Sequence, residues 1–415
     1  MLLEYTYTHY FYGERAIKLT VIMETVMLNQ IIGNWINKKL KTFEDGSLRL
    51  SVPGCSDIII GNNSKPQFNL TFTSIRGIYL ILRRGVLGFT EGFIKGYWIT
   101  DNLQETITFL AKNLSNVESI QKGNSRKLIT KFKHWLRENT VSRSKKNIHA
   151  HYDLGNNFYE LWLDPSMTYS SAYFQNLEQD SLEFAQKQKY QKIIDSLNLK
   201  SGDSVLEIGC GWGGFIEHAS KLGINVTGLT ISKEQFNYAT SRISTLDGIQ
   251  KIIYEDYRNH KGTYDAVVSI EMLEAVGSKY WDEYFNAIKK FLKPGSSALV
   301  QVITMHEKYF KSYNVDPDFI QTYIFPGGEL ISDEAFFNCA LTTSLECKKV
   351  SSFGKSYART LEIWNEQFQK QWESVRQLGF DHKFKRTWEM YYAYCIGGFL
   401  SNRLDVSQFK LTCND

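Results

Sequence analysis

Ser204-Val205-Leu206-Glu207-Ile208-Gly209-Cys210-Gly211-Trp212-Gly213-Gly214-Phe215 is the stretch whose reading decides the fold. Val205, Leu206 and Ile208 form a short apolar run. Gly209, Gly211, Gly213 and Gly214 follow at once, and a helix-compatible segment begins at Phe215. A buried strand, a tight glycine turn and a helix N-terminus in this order open a doubly wound α/β sheet. The glycines let the backbone bend sharply and let a ligand approach without meeting a Cβ.

Two ligand classes compete for such a turn. Gly209, Gly211 and Gly214 satisfy the dinucleotide spacing G-x-G-x-x-G, a weak signal alone. Glu207 argues against it, because a carboxylate at the strand end repels a pyrophosphate and suits a cationic ligand. The second strand, Ile224 to Thr230, also ends without the acidic residue that holds an NAD ribose. The spacing Glu207-x-Gly209-x-Gly211-x-Gly213 resembles the S-adenosylmethionine loop of class I methyltransferases. On that reading a Cβ at Gly209 enters the cofactor's path.

Further along, strands are expected at 224–230, 251–254, 264–270 and 297–304, and helices at 213–222, 232–243 and 279–292. This alternation predicts a mainly parallel sheet, with functional residues at the strands' carboxyl ends. Those ends carry Glu207, Thr230, Asp256, Glu271, Glu274 and Gln301. A helix is expected at 181–198. After Pro326-Gly327-Gly328 come a helix near 333–341, a strand near 345–351, helices over 357–375 and 381–402, and a last strand near 408–412.

Residues 1–23 read as an N-terminal extension, with Met23 or Met27 as alternative starts. Residues 24–121 read as a small α+β domain. It has a helix over 24–40, strands at 47–52, 58–60 and 68–72, and helices at 75–85 and 103–113. Residues 122–147 form a linker in which nine Lys and Arg residues face only Glu138. Leu128, Phe132, Trp135 and Leu136 share one helical face. Such a helix either lies on a membrane surface or docks its apolar face on protein. Residues 148–415 form the catalytic domain. His149 and His151 lie two apart with no third ligand nearby, so structural hydrogen bonding is expected and no metal.

The formal charge is +4 in 415 residues, which gives no reason to expect nucleic acid. The six cysteines are scattered without a C-x-x-C pair, which fits a reduced cytoplasmic protein without structural zinc. No apolar run is long enough to span a bilayer.

Three stretches are more specific than the glycine loop. They are His151 to Asn156 with Met167 to Tyr173; Glu207 to Phe215 running into Gly228 to Gln235; and Asp256-Tyr257-Arg258 with Glu274 to Gly277. Together they resemble the cyclopropane-fatty-acyl-phospholipid synthase family, including the mycolic acid cyclopropane synthases. The resemblance implies a class I methyltransferase fold, S-adenosylmethionine as methyl donor, and an unsaturated acyl chain of a membrane phospholipid as acceptor. It implies that Tyr169 and Ser170 cover the donor. It further implies that Gly209 and Gly211 line the donor's methionine part, that Thr230 and Gln235 serve the ribose, and that Asp256 lies near the adenine amine. As an alternative, Asp256 caps a turn.

The family's reaction leaves a carbocation from which a bound bicarbonate removes a proton. By resemblance its holders are Glu274, the backbone at Ile303, and Tyr357. Ser171 stands where a cysteine is usual, Gln301 where a histidine is usual, and Ala275 where a histidine often follows the glutamate. Ser and Gln still donate hydrogen bonds, but Gln cannot shuttle a proton as His can. Cyclopropanation is therefore the first expectation and acyclic C-methylation the second. A non-catalytic lipid- or cofactor-binding protein is the alternative outside enzymes.

The chemistry itself asks for aromatic faces to stabilise a cation and for an apolar tunnel for the acyl chain. Tyr169, Tyr173, Phe174, Tyr257, Phe319, Tyr323 and Phe325 are candidates for the first, and segments 308–330 and 381–402 for the second. Peripheral association with a membrane is expected, and a homodimer is left open.

Overall fold

The computed structural model describes Phe43 and residues 46–62, 65–113, 154–246, 248–313 and 317–414. The helix expected at 24–40, the linker 122–147, and His149, His151, Tyr152 and Asp153 lie outside the described residues. The chain forms two compact units, Met1–Asn124 and Ser125–Asp415.

The first unit contains a four-stranded sheet ordered β2-β1-β3-β4, with β1 at Ser47–Ser51, β2 at Ile58–Gly61, β3 at Phe68–Phe72 and β4 at Trp98–Thr100. β1 runs parallel to β3, while β2 and β4 pair antiparallel. Leu48, Leu50, Ile58, Ile60, Phe68, Leu70 and Phe72 alternate inward along these strands, as a half-buried sheet requires. Helix α1 spans Ile75–Ile94, longer than the expected 75–85. The glycine-rich 88–94 stretch continues the helix beyond a kink at Gly85, whose φ of 59° breaks the helical path. Arg84 pairs with the buried Glu91 across that kink. Helix α2 covers Leu103–Lys112, capped by Asn102.

The second unit is built on a seven-stranded sheet ordered β10-β11-β9-β8-β5-β6-β7. Its strands are β5 Ser204–Ile208, β6 Asn225–Thr230, β7 Lys251–Tyr254, β8 Tyr264–Ile270, β9 Leu292–Met305, β10 Glu346–Ser352 and β11 Leu404–Thr412. β5 pairs in parallel with both β6 and β8, and β11 runs antiparallel to both its neighbours. The chain steps outward from β5 to β7, then returns to place β8 on β5's other side. That reversal is the switch point at which doubly wound sheets bind ligands.

Neighbouring residues of β5 serve opposite faces. Val205 packs with Tyr190, Ile193, Phe215, Ile216 and Val226. Leu206 and Ile208 pack with Val267, Tyr284, Phe285, Ile288 and Val300. The first face is covered by helix α3, Leu182–Leu197, and helix α4, Gly214–Ser220; the second by helix α5, Trp281–Phe291. Two long helices, α6 at Gly354–Lys370 and α7 at His382–Leu400, pack on one another. Among the described residues no helix is long and apolar enough to cross a membrane.

Candidate active site

The glycine loop leaves β5 through Gly209, Gly211 and Gly213, all at positive φ (80°, 53° and 85°). A Cβ on Gly211 would meet nothing within 4 Å, whereas one on Gly209 would lie 2.8 Å from Met272 Cγ. The open side of the turn is therefore at Gly211, and a Cβ at Gly209 would press on Met272. Residues 154–174 pack over this loop. The Trp212 indole donates to Asn156 Oδ1 at 2.8 Å, and Arg242 donates to the carbonyls of Ser166 (2.6 Å), Trp212 (3.1 Å) and Pro165 (3.0 Å).

Glu207 is buried, and its Oε2 has no hydrogen-bond partner. Burial pushes its carboxyl up to about 8, although Lys189 pulls the other way. An orphaned buried carboxyl beside an open glycine turn fits a cationic ligand such as the methionine end of S-adenosylmethionine. Thr230 donates to Gln235 Oε1 at 2.9 Å, which leaves the Gln235 NH₂ as the free end of that pair. Asp256 has both oxygens on Arg258, at 2.9 and 2.7 Å, and caps the short turn Tyr257–Asn259. Its capping alternative is thus realised, and an adenine amine would have to share those oxygens.

Helix α3 carries a polar pair on its buried face. Lys189 is fully buried and donates to Ser170 Oγ at 2.7 Å, and Gln186 donates to the Ser170 carbonyl at 3.0 Å. Desolvation lowers Lys189 to about 8, opposed by Glu271, Asp164 and Glu207. Tyr169 lies in an aromatic group, with ring centres 5.2 Å from Trp364, 5.5 Å from Trp162, 5.5 Å from Tyr159 and 6.3 Å from Phe325. Its hydroxyl is 2.9 Å from that of Tyr391. Tyr357 joins the group edge-on to Trp364 at 6.1 Å. Of the aromatics expected here, Tyr169 and Phe325 are present. Tyr173 packs on Phe353 instead, and Tyr257 on Tyr284. The expected tunnel segments do meet, through Phe319 on Tyr394 and Phe325 on Tyr391.

Beyond β8 lie two half-buried carboxylates. Glu271 Oε1 accepts from the Ser171 backbone N–H at 2.8 Å and from Gln301 Nε2 at 2.9 Å, and the Tyr357 phenol hydrogen-bonds to the same carboxylate. Gln301 is itself oriented by Gln408, which donates to its Oε1 at 3.0 Å. Glu274 Oε1 accepts from the Ile303 backbone N–H at 2.6 Å, while its buried Oε2 has no partner. Burial and the neighbouring Glu271 charge push Glu274 up to about 8, so at neutral pH Glu274 carries a proton. Burial raises Glu271 as well, but Lys189, Gln301, Ser171 and Tyr357 all favour its charged form.

The structure thus gathers Ser171, Gln301, Ile303, Glu274 and Tyr357, with two differences from expectation. The Ser171 hydroxyl turns to the Ala172 carbonyl at 2.9 Å, so the serine contributes its amide rather than its side chain. The donors expected to hold a bicarbonate are engaged by the chain's own carboxylates. A bicarbonate would add a further negative charge to a half-buried pair that has Lys189 as its counter-charge. The residues present therefore do not fit that anion.

A family profile described as mycolic acid cyclopropane synthetase matches residues 139–409. The chain belongs to this family. Within reach of the family's members, the tuberculostearic acid methyltransferase UfaA1 of Mycobacterium tuberculosis is 34% identical over 349 residues, 79% of each chain. The cyclopropane-fatty-acyl-phospholipid synthase of Escherichia coli K12 is 35% identical over 337 residues, 79% of this chain and 83% of that one. Among solved structures, mycolic acid cyclopropane synthase CmaA1 complexed with SAH and CTAB superposes with a TM-score of 0.60 at 30% identity, covering 65% of this chain and 98% of that one. By family and fold the chain is a class I S-adenosylmethionine-dependent methyltransferase.

Sequence reasoning places Glu271 at a strand's carboxyl end but gives it no role, and it misses Lys189, Trp364 and Tyr391. For Lys189 a signal existed: it shares a helical face with Ala185, Tyr190 and Ile193, where a lysine is out of place unless paired. Trp364 and Tyr391 come from α6 and α7, and nothing local in those helices marks them.

Proposed function

We propose that the chain transfers the methyl carbon of S-adenosylmethionine to the double bond of unsaturated acyl chains in membrane phospholipids and closes a cyclopropane ring there. The observation that carries this reading is the aromatic group around Tyr169 and Trp364 abutting, through Tyr357, a half-buried carboxylate pair. An alkene is a poor nucleophile and needs no base to activate it. It needs positioning, a surface that tolerates a cation, and an acceptor for a proton afterwards. Aromatic faces supply the second.

When bound, the sulfonium supplies an activated methyl group. The chain's own residues do the rest. In this reading Gly209, Gly211 and Gly213 shape the turn beneath the cofactor, Glu207 faces its cationic end, and Thr230 with Gln235 serves the ribose. Tyr169 and Ser170 cover it, and Asp256 borders the adenine through its pairing with Arg258. Phe325, Tyr391 and their neighbours exclude water, which would otherwise trap the cation as an alcohol. The names of the two relatives support an acyl acceptor. The basic segment 122–147 would bring the protein to anionic lipid and leave it peripheral to the membrane.

Acyclic C-methylation is the second reading, favoured because UfaA1 is named a methyltransferase rather than a cyclopropane synthase. Mass analysis of acyl chains from an expressing host tests both: each gains one CH₂ when the product is a ring or a methylene branch. NMR of the purified lipid then separates ring from branch.

A further inference from the structure

We infer that Glu271 is a built-in carboxylate base, standing where a soluble anion would otherwise have to bind. The inference rests on the acyl-chain reading and adds the group that takes the proton. Three observations carry it. The Ser171 amide at 2.8 Å, Gln301 Nε2 at 2.9 Å and the Tyr357 phenol converge on this carboxylate, and they are the donors that an anion at this place would require. Glu271 sits at φ 50°, in the left-handed region that glycine prefers, on a turn where a side chain is kept despite the strain. The backbone is held there from the far side, since the Glu271 N–H donates to the Gln301 carbonyl at 2.8 Å.

The two carboxylates divide the work. Glu274 has two backbone donors, the Ile303 amide and its own, no cation beside it among the groups that shift it, and one orphaned oxygen. Glu271 has three donors and the buried ammonium of Lys189 as counter-charge. A pair whose environments differ in this way places the proton on one member and leaves the other as base.

The step balances. After methyl transfer the alkene's π pair has become the new C–C bond, and the second alkene carbon is cationic. A Glu271 oxygen takes one proton from the transferred methyl group. The electron pair of that C–H bond closes the ring, the carboxylate becomes a neutral acid, and it returns its proton to solvent when the product leaves.

The test uses the full-length protein with unsaturated phospholipid vesicles in CO₂-depleted buffer, with and without added bicarbonate. Wild-type turnover is expected to change less than twofold on adding bicarbonate; a rise of tenfold or more overturns the inference. Glu271→Gln keeps the shape and removes the base, so turnover should fall roughly 10²–10⁴-fold with cofactor affinity retained; full turnover overturns the inference. Glu271→Gly empties the position and relieves the strain, so added bicarbonate should restore part of its turnover. ¹³C-bicarbonate should show saturable binding to this variant and none to wild type by NMR. Saturable binding to wild type, lost when unlabelled bicarbonate competes, overturns the inference whatever the turnover shows. Failure of the acyl-chain reading looks different: no CH₂ gain in wild type at any bicarbonate concentration, with the binding arm still deciding what occupies the Glu271 position.

Discussion

Replacing Gly211 by Ala separates cofactor binding from folding. Gly211 has φ 53°, inside the left-handed region, and its Cβ would meet no protein atom within 4 Å. The folding cost is then only the conformational one, roughly 1–2 kcal/mol for a non-glycine residue in that region. For a domain of this size that is about 2–4 °C in melting temperature. The same methyl group projects into the open side of the turn, so the affinity for S-adenosylhomocysteine should fall at least about tenfold, or ~1.4 kcal/mol. Gly209→Ala is the control: its Cβ would press on Met272 Cγ at 2.8 Å, so it should lose more stability. Calorimetric titration and melting curves of both variants measure the two effects. Unchanged affinity in Gly211→Ala, with only the small melting shift, would refute the placement of the cofactor on this loop.

Three further outcomes follow from the charges. Glu207 is pushed up to about 8 when ligand-free, and a cationic ligand favours its ionised form, so binding should release a proton. Affinity should therefore fall by up to about tenfold per unit as pH drops below about 8, and titration in buffers of different ionisation enthalpy should show the release. A flat affinity from pH 6 to 8 contradicts this. In the ligand-free protein the raised Glu207 and Glu274 keep their stability in full below the ordinary 4.5 and lose it as pH rises through about 8, so the melting temperature should decline across that window. At the membrane, changing Lys127, Lys131 and Lys133 to Glu should cut co-sedimentation with anionic vesicles, each charge near the surface being worth about 1 kcal/mol. Cofactor affinity should not move, and unaffected vesicle binding would remove this segment from the lipid-facing role.

The sheet was legible because its strands are short, β-branched and punctuated by glycine. Val205 to Ile208 and Asn225 to Thr230 lie where their composition places them. Helix α1 runs past the expected end at 85 because Gly88 and Gly92 stay helical and the chain bends at Gly85. Gln301 and Tyr357 both hydrogen-bond to Glu271, and Glu274, three residues further on, accepts from the Ile303 amide. Glu271 is legible only as a strand-end carboxylate, because nothing local gives it a role. Its meaning comes from Ser171, a hundred positions earlier, and Tyr357, on a helix contributed by the far end of the chain. Asp256 shows the reverse case: a motif aspartate whose neighbour two positions on, Arg258, takes both its oxygens.

The proposed reaction adds one carbon to acyl double bonds. Its most direct measurement is the mass and NMR analysis of phospholipid acyl chains after incubation of the purified protein with unsaturated phospholipid vesicles and methyl-labelled S-adenosylmethionine. A labelled CH₂ gain at the former alkene is expected, with high-field cyclopropane proton signals. Acyl chains that keep their mass and their alkene signals, in the presence of protein shown to bind the cofactor, would contradict it.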